Sequence, residues 1–304
     1  MPSTRPFPSP RIIYAPEGDG IRGKQAAAVA ALGGIQLDGA QRLVLDAACD
    51  RRGGNWSAPT VGVIVPRRNL KSITVRIREL SGCLLWGENG IHSAHEWRTV
   101  SEQFRETVEL VEGSPLKRYL RKIRYTGGEE CLTFTTGTRL RFMNRSKESA
   151  RSFGADFLAL DEAHAVSQEQ AQALIPVLAD HPRSQVWWLG HGPTPTAWEL
   201  ARLRNRALSA DPGRMAWFEW SADPEADDLE DEETWKRCNP AEAAGRLSVE
   251  KMREERLLLG ASGFAAERLA ASPWPSEESG AWGTFSEAEW QAMLEARSAR
   301  AGWS

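Results

Sequence analysis

At 304 residues the chain exceeds a typical domain of about 100–200, so its length predicts one large, well-buried domain with appendages. A formal charge of -3 and a pI near 6.1 give no global basic signature, so any nucleic-acid contact must rest on local patches. Cys49, Cys83, Cys131 and Cys238 lack paired spacing and read as reduced structural thiols, and no window approaches the roughly 20 apolar residues of a bilayer span; a soluble, cytoplasmic protein with no membrane contact is expected.

Residues 1–34, rich in Pro, Gly and Ala, are expected to form a flexible N-terminal arm with one short helix around Lys24–Leu32 and little share in the core. From Gln36 to about Asp50, Leu43, Val44, Ala47 and Ala48 recur at helical spacing. Strand-like and helical runs then alternate: strand Val61–Val65, helix Ser72–Leu84, a short strand near Ile91–Ser93, helix His95–Val111, and strands Cys131–Thr135 and Arg139–Asn144 around a hairpin at Thr136-Gly137-Thr138. Strand Phe157–Leu160, helix Gln168–Leu178, strand Gln185–Leu189, helix Ala197–Ser209 and strand Met215–Trp220 follow. The alternation predicts an α/β fold, a mostly parallel sheet with helices on both faces.

Asp223 to Glu233 is a dense acidic run that reads as a solvated loop, because like charges repel into water. Helices are expected near Ser248–Leu259 and Gly263–Ala271, before Ser272-Pro273-Trp274-Pro275-Ser276 breaks the pattern. One more, Ser286–Arg297, is capped by Ser286 with Glu289. Residues 35–271 thus read as the main domain and 272–304 as a linker.

The apolar run Phe157-Leu158-Ala159-Leu160 ends abruptly in Asp161 and Glu162, and Val61–Val65 is followed by Pro66-Arg67-Arg68-Asn69-Leu70-Lys71-Ser72. In a P-loop ATPase the turn after the first strand offers backbone N–H groups and a Lys to phosphate, and its Ser binds Mg²⁺. Two acids at the end of a second strand hold the metal and orient or deprotonate the attacking water. Lys71, Ser72, Asp161 and Glu162 take these roles, with Ser72 and Asp161 as metal ligands. The bland alternative for the acids is a pair capping a helix. His92 and His95 beside Glu96 lack a third ligand and read as packing and helix-start residues, as does His164. The many Trp residues read as packing.

With these parts in order the chain resembles the ATPase half of the large terminase subunit of tailed bacteriophages, especially of actinobacterial phages. The carriers include Leu37-Asp38-Gly39-Ala40-Gln41, Val65 to Ser72, Ile91-His92-Ser93-Ala94-His95-Glu96, Leu160-Asp161-Glu162-Ala163, Cys238-Asn239-Pro240 and Phe264-Ala265-Ala266-Glu267-Arg268-Leu269. The resemblance implies a P-loop NTPase of the RecA/ASCE-like type that uses ATP and Mg²⁺. It places Gln41 on adenine, Arg67 on phosphate in a catalytic role, and Arg68, Asn69, Leu70, Lys71 and Ser72 around the nucleotide. Gly190-His191-Gly192-Pro193-Thr194 would be the coupling segment, through His191 and Thr194. Arg151, with Arg145 as the other candidate, would be an arginine finger.

The chief departure is Leu70, where the family's Walker A has Gly; a Cβ there costs about 1 kcal/mol or more if the backbone needs positive φ or touches phosphate. The resemblance further implies a homo-oligomeric ring docked transiently on a procapsid in the host bacterial cytoplasm and absent from the mature virion. Its partners would be duplex DNA, a portal protein and a small terminase subunit. The RNase H-like nuclease that follows the ATPase in complete large terminases is not expected here. Basic clusters stand at Lys117-Arg118, Arg121-Lys122 and Arg202-Arg204-Arg206, each an ordinary solvated face when taken singly. The rival readings are a terminase-derived binding module that has lost turnover through Leu70, and a helicase, against which stands the lack of a second strand–helix repeat after residue 220.

Overall fold

Residues 6–128, 130–145 and 154–275 are described in a computed structural model of the chain. In chain order the elements are β1 (Ile12–Tyr14), α1 (Ile21–Leu32), α2 (Gly39–Ala48), a small hairpin β2 (Arg51–Arg52) and β3 (Asn55–Trp56), β4 (Thr60–Ile64), α3 (Lys71–Ser81), β5 (Gly90–Ala94) and α4 (Trp97–Glu112). Next come β6 (Leu120–Arg124), β7 (Glu130–Phe134), β8 (Arg139–Asn144), β9 (Phe157–Leu160), α5 (Gln168–Leu174), β10 (Gln185–Gly190), α6 (Trp198–Leu208) and β11 (Met215–Glu219). Three helices close the described chain: α7 (Glu232–Cys238), α8 (Pro240–Ala243) and α9 (Val249–Leu269).

A nine-stranded sheet runs β1-β11-β4-β10-β9-β5-β8-β7-β6, parallel from β11 to β8 and antiparallel at both edges. The α/β expectation holds for the reason the strands suggested. Alternate side chains of each central strand feed opposite cores. Val61, Val63 and Ala159 join the core beneath α2 and α3, while Ile64, Leu158, Leu160 and Trp188 join the one beneath α5 and α6. Trp217 of β11 lies directly across Gly62, where any Cβ would stand 2.2 Å from its ring.

Two expectations need correction. The loose arm is a working part of the fold: β1 adds an antiparallel edge to β11, and small Ala26 and Ala30 of α1 bury completely against the core. Small side chains let α1 approach α2 closely, which a composition reading mistakes for disorder. The helix expected to reach Leu178 turns 3₁₀ at Ile175, because Pro176 has no N–H to donate to the preceding turn. The two helices expected near Ser248–Leu259 and Gly263–Ala271 are both present within α9, separated where Gly260 leaves helical backbone at φ 71 and ψ 175. The Ser286–Arg297 helix falls outside the described residues.

The N-terminal edge is fastened by a buried carboxylate. Glu219, with no solvent exposure, accepts from Arg11 Nη2 (3.1 Å), Arg204 Nε (2.8 Å), Trp217 Nε1 (3.0 Å) and Ser221 Oγ (2.8 Å). Removing one partner of a buried pair strands the others. Glu219→Ala is expected to lower unfolding free energy by about 3 kcal/mol in urea titrations, the low end for such a loss because Arg11 keeps some access to water.

Candidate nucleotide site

The parallel register sets β4, β10 and β9 side by side, Gly190 level with Ile64 and Trp188 level with Leu160, so their carboxyl ends open at one edge. The turn between β4 and α3 and the acids after β9 therefore flank the end of β10. One strand, β10, thus stands between the strand that leads into the Lys71 turn and the strand that leads into Asp161 and Glu162.

Lys71 lies folded over the turn, Nζ donating to the Val65 carbonyl at 2.6 Å and the Pro66 carbonyl at 3.4 Å. Desolvation lowers its pKa to about 8, although Asp161 works in the opposite direction. Ser72 Oγ accepts from Gln103 Nε2 of α4 at 3.2 Å. The strain expected at Leu70 is not there: its φ is -129, and its side chain is 2% exposed within the core. The left-handed residue of the turn is Arg68, at φ 58. Leu70 is thus a core residue, and its side chain gives no ground for lost turnover.

Asn69 is equally committed to structure. Its amide donates to the Pro66 carbonyl (3.1 Å) and to Asn239 Oδ1 (2.9 Å), and its oxygen accepts from Ala241 N (3.0 Å). Asn239 in turn donates to the carbonyls of Trp235 and Arg268. Arg246 Nη1 reaches the Asn69 carbonyl (2.7 Å) and Arg268 Nη1 the Arg67 carbonyl (3.0 Å). Residues 232–269 thus grip the phosphate turn through its own backbone. Sequence reading noticed Cys238-Asn239-Pro240 without a role for it; buried Asn in an Asn-Pro pair just before a helix was the available signal.

Asp161 is buried, its Oδ1 accepting from Glu162 N at 2.9 Å, while His92 Nε2 stands 3.9 Å from Oδ2. Burial opposes charge on His92, but the Glu79 carboxylate 2.8 Å away prevails and raises its pKa. Glu162 sits at φ 51 and turns its carboxylate to the start of α4, accepting from His95 N (3.0 Å), Glu96 N (3.2 Å) and Thr99 Oγ1 (3.2 Å). A carboxylate is favoured there by the partial positive charge of the helix start. Arg145, considered as a finger, is buried and donates to the carbonyls of Asp161 and Glu162, with desolvation lowering its pKa to about 10. It braces the acid turn. Arg151 falls outside the described residues.

His191, at the end of β10, joins the two halves. Its Nε2 is 3.3 Å from Arg67 Nη2, and its ring meets that of His164 edge to face at 4.0 Å between centroids. Arg67 also pairs with Glu267 of α9 at 2.5 Å. Desolvation, with Arg67 and Lys71 nearby, pushes the pKa of His164 down to about 4, and desolvation with His164 nearby pushes that of His191 to about 2. Thr194 Oγ1 lies 3.4 Å from Thr196 Oγ1.

Gln41 has its amide oxygen engaged within its own helix start. It closes a capping box, its Oε1 accepting from Asp38 N (2.9 Å) and its backbone N–H donating to Asp38 Oδ1 (2.8 Å). It nevertheless lines a cleft of about 530 Å³ with Phe7, Leu37, Ile73, Pro240 and Arg246, a mostly apolar wall at the start of α3 and a size suited to a small organic ligand.

No family model matches the chain, and no curated protein matches it. Among solved structures it is similar to the large terminase of HK97 bacteriophage, at 15% identity and a TM-score of 0.69 over 83% of this chain and 55% of that one. It is also similar to the large terminase ATPase domain of Thermus phage P74-26 (15% identity, TM-score 0.58, 80% of this chain and 96% of that one). A third likeness is to the large terminase of a thermophilic bacteriophage in complex with ADP (11%, TM-score 0.50, 72% and 49%). At such identities the likeness defines the fold: that of the P-loop ATPase part of phage large terminases. The chain spans about half the length of the HK97 protein and of the ADP-bound one.

Because Leu70 packs in the core, Leu70→Ala is expected to cost about 2–5 kcal/mol in chemical denaturation and to bring no gain in nucleotide affinity by calorimetry. A tighter-binding, equally stable variant would show that Leu70 obstructs the phosphate.

Proposed function

We propose that this chain hydrolyses ATP as the motor domain of a phage DNA-packaging machine, translocating duplex DNA into a procapsid. The observation that carries the reading is the meeting of the Lys71 turn and the Asp161-Glu162 turn on either side of β10, linked through Arg67, His191 and His164. In the proposal the chain works as a homo-oligomeric ring docked on a portal protein, with a small terminase subunit as a further partner, in the host cytoplasm.

The backbone N–H groups of the turn and Lys71 would hold the β- and γ-phosphates, a phosphate oxygen taking the place of the Val65 carbonyl at Nζ. Arg67 would add a second cation, and the apolar cleft beside Ile73 and Gln41 would take the base. Ser72 Oγ and Asp161 suit Mg²⁺, a hard ion that takes one or two protein oxygens and completes its shell with phosphate and water. Among the described residues Asp161 Oδ2 accepts no hydrogen bond, which leaves it open to such an ion. When bound, Mg²⁺ supplies charge neutralisation on the phosphates. Glu162 would orient and deprotonate the attacking water, for which its side chain must swing away from the amides at the start of α4.

Lys71→Ala is expected to abolish both nucleotide binding and hydrolysis, whereas Glu162→Gln should lose hydrolysis and retain binding, measured by fluorescent-nucleotide titration and phosphate release. Equal loss of binding in both variants contradicts these roles. With a pKa near 8 in the free protein, Lys71 is charged below that pH and neutral above it. Bound phosphate favours the charged form, so ATP affinity should fall as pH rises from 8, up to tenfold per unit, in the same nucleotide titration.

A further inference from the structure

Between residues 117 and 141 the chain holds seven Lys and Arg against two acids, Glu129 and Glu130, although its net charge is -3. The strand register sorts these cations onto one face. Lys122 of β6, Thr133 of β7 and Arg139 of β8 form one cross-strand row, and Arg124, Cys131 and Arg141 the next. The opposite face carries Ile123, Leu132 and Leu140 into the core under α4, and Glu130 is buried. With rows about 7 Å apart and strands about 4.8 Å apart, each cation has neighbours about 7–10 Å away, near the Debye length of about 8 Å at physiological salt, so their fields overlap.

The basic residues of α6 behave otherwise: Arg202 pairs with Glu199, Arg204 with Glu219, and Arg206 donates to the Pro212 carbonyl. No ion pair among the described residues involves Arg118, Arg121, Lys122 or Arg139, and Lys122 and Arg139 are exposed. Charged residues on an edge strand can serve merely to prevent edge-to-edge pairing. That role needs only β6, yet half of this field stands on β8, two strands inward.

We propose that the outer face of β6, β7 and β8 is a docking surface for the phosphate backbone of duplex DNA. The proposal rests on the reading of the chain as a DNA-translocating ATPase and adds where the DNA is held. The two rows present no aromatic ring, so the stacking platform that single strands require is missing from them. Cations on a flat sheet face meet backbone phosphates and read no bases, which suits movement along any sequence. The strand that carries Arg139 and Arg141 ends at Asn144, next to Arg145, whose guanidinium holds the carbonyls of Asp161 and Glu162. The strand beneath this surface thus leads straight into the brace of the acid turn.

The test uses the full chain, random-sequence duplex DNA and the double variant Lys122→Gln/Arg139→Gln, with Arg202→Gln as control. Each phosphate contact contributes about 0.9 to the slope of log affinity against log salt. The double variant should therefore bind DNA more weakly at low salt, with a slope shallower by about 1.8. ATP hydrolysis without DNA should be unchanged and its response to DNA reduced; the control should match the parent throughout. An unchanged DNA slope in the double variant overturns the proposal, as does a change confined to oligomeric size, which would assign the face to a second copy of the chain. A parent protein that lacks hydrolysis while its DNA slope still depends on these residues refutes the motor reading and leaves the surface standing.

Discussion

The parallel pairing of β4, β10 and β9 is the constraint on which the site depends. Backbone hydrogen bonds fix Gly190 level with Ile64 and Trp188 level with Leu160, and a register slip would carry Lys71 away from Asp161 along the strands while turning core side chains toward the wrong layer. Gly62 belongs to that constraint, since it alone lets Trp217 close over β4. Two turns distant in sequence come together because each is the exit of a strand that the core has already placed.

The second organising feature is the polar grip on the phosphate turn. Asn69 joins Asn239 and Ala241, while Arg246 and Arg268 take the carbonyls of Asn69 and Arg67. Buried amides with every partner present define one geometry, and a missing partner would be costly in a low-dielectric setting. The turn is therefore shaped by α7 to α9 as much as by β4 and α3, and a shift of those helices cannot leave its backbone untouched. The acidic run before them has a part in this: Glu230 and Glu232 pair with Arg256 and Arg253 of α9, so a stretch that reads as a solvated loop also ties the helices together.

Much of the fold was legible because its signals are local. The apolar runs at 61–65, 157–160 and 185–189 can only be buried strands, and Gly137 at φ 87 sits where a hairpin was expected. The edges were harder. β1 is three residues long, and in β6 the adjacent Arg121 and Lys122 break the alternation at an irregularity in the pairing, so neither carries a strong strand pattern of its own. In the site, Lys71 and the acid pair announced themselves by type and place. The bonds of Gln41, the core packing of Leu70 and the bracing role of Arg145 did not, because each depends on a partner supplied by another part of the chain or on a backbone angle that no motif encodes.

By itself the sequence determined the order of the central strands and of most helices and singled out the turns at Lys71 and at Asp161-Glu162 as candidates, since hydrophobic period and turn residues act over a few positions. Only the tertiary structure decided which residue of the phosphate turn takes the left-handed backbone, how residues 232–269 hold that turn, where Glu162 directs its carboxylate and which basic residues share a face. Those outcomes are set by hydrogen bonds and strand register between segments far apart in the chain, and they exist only once the sheet has closed.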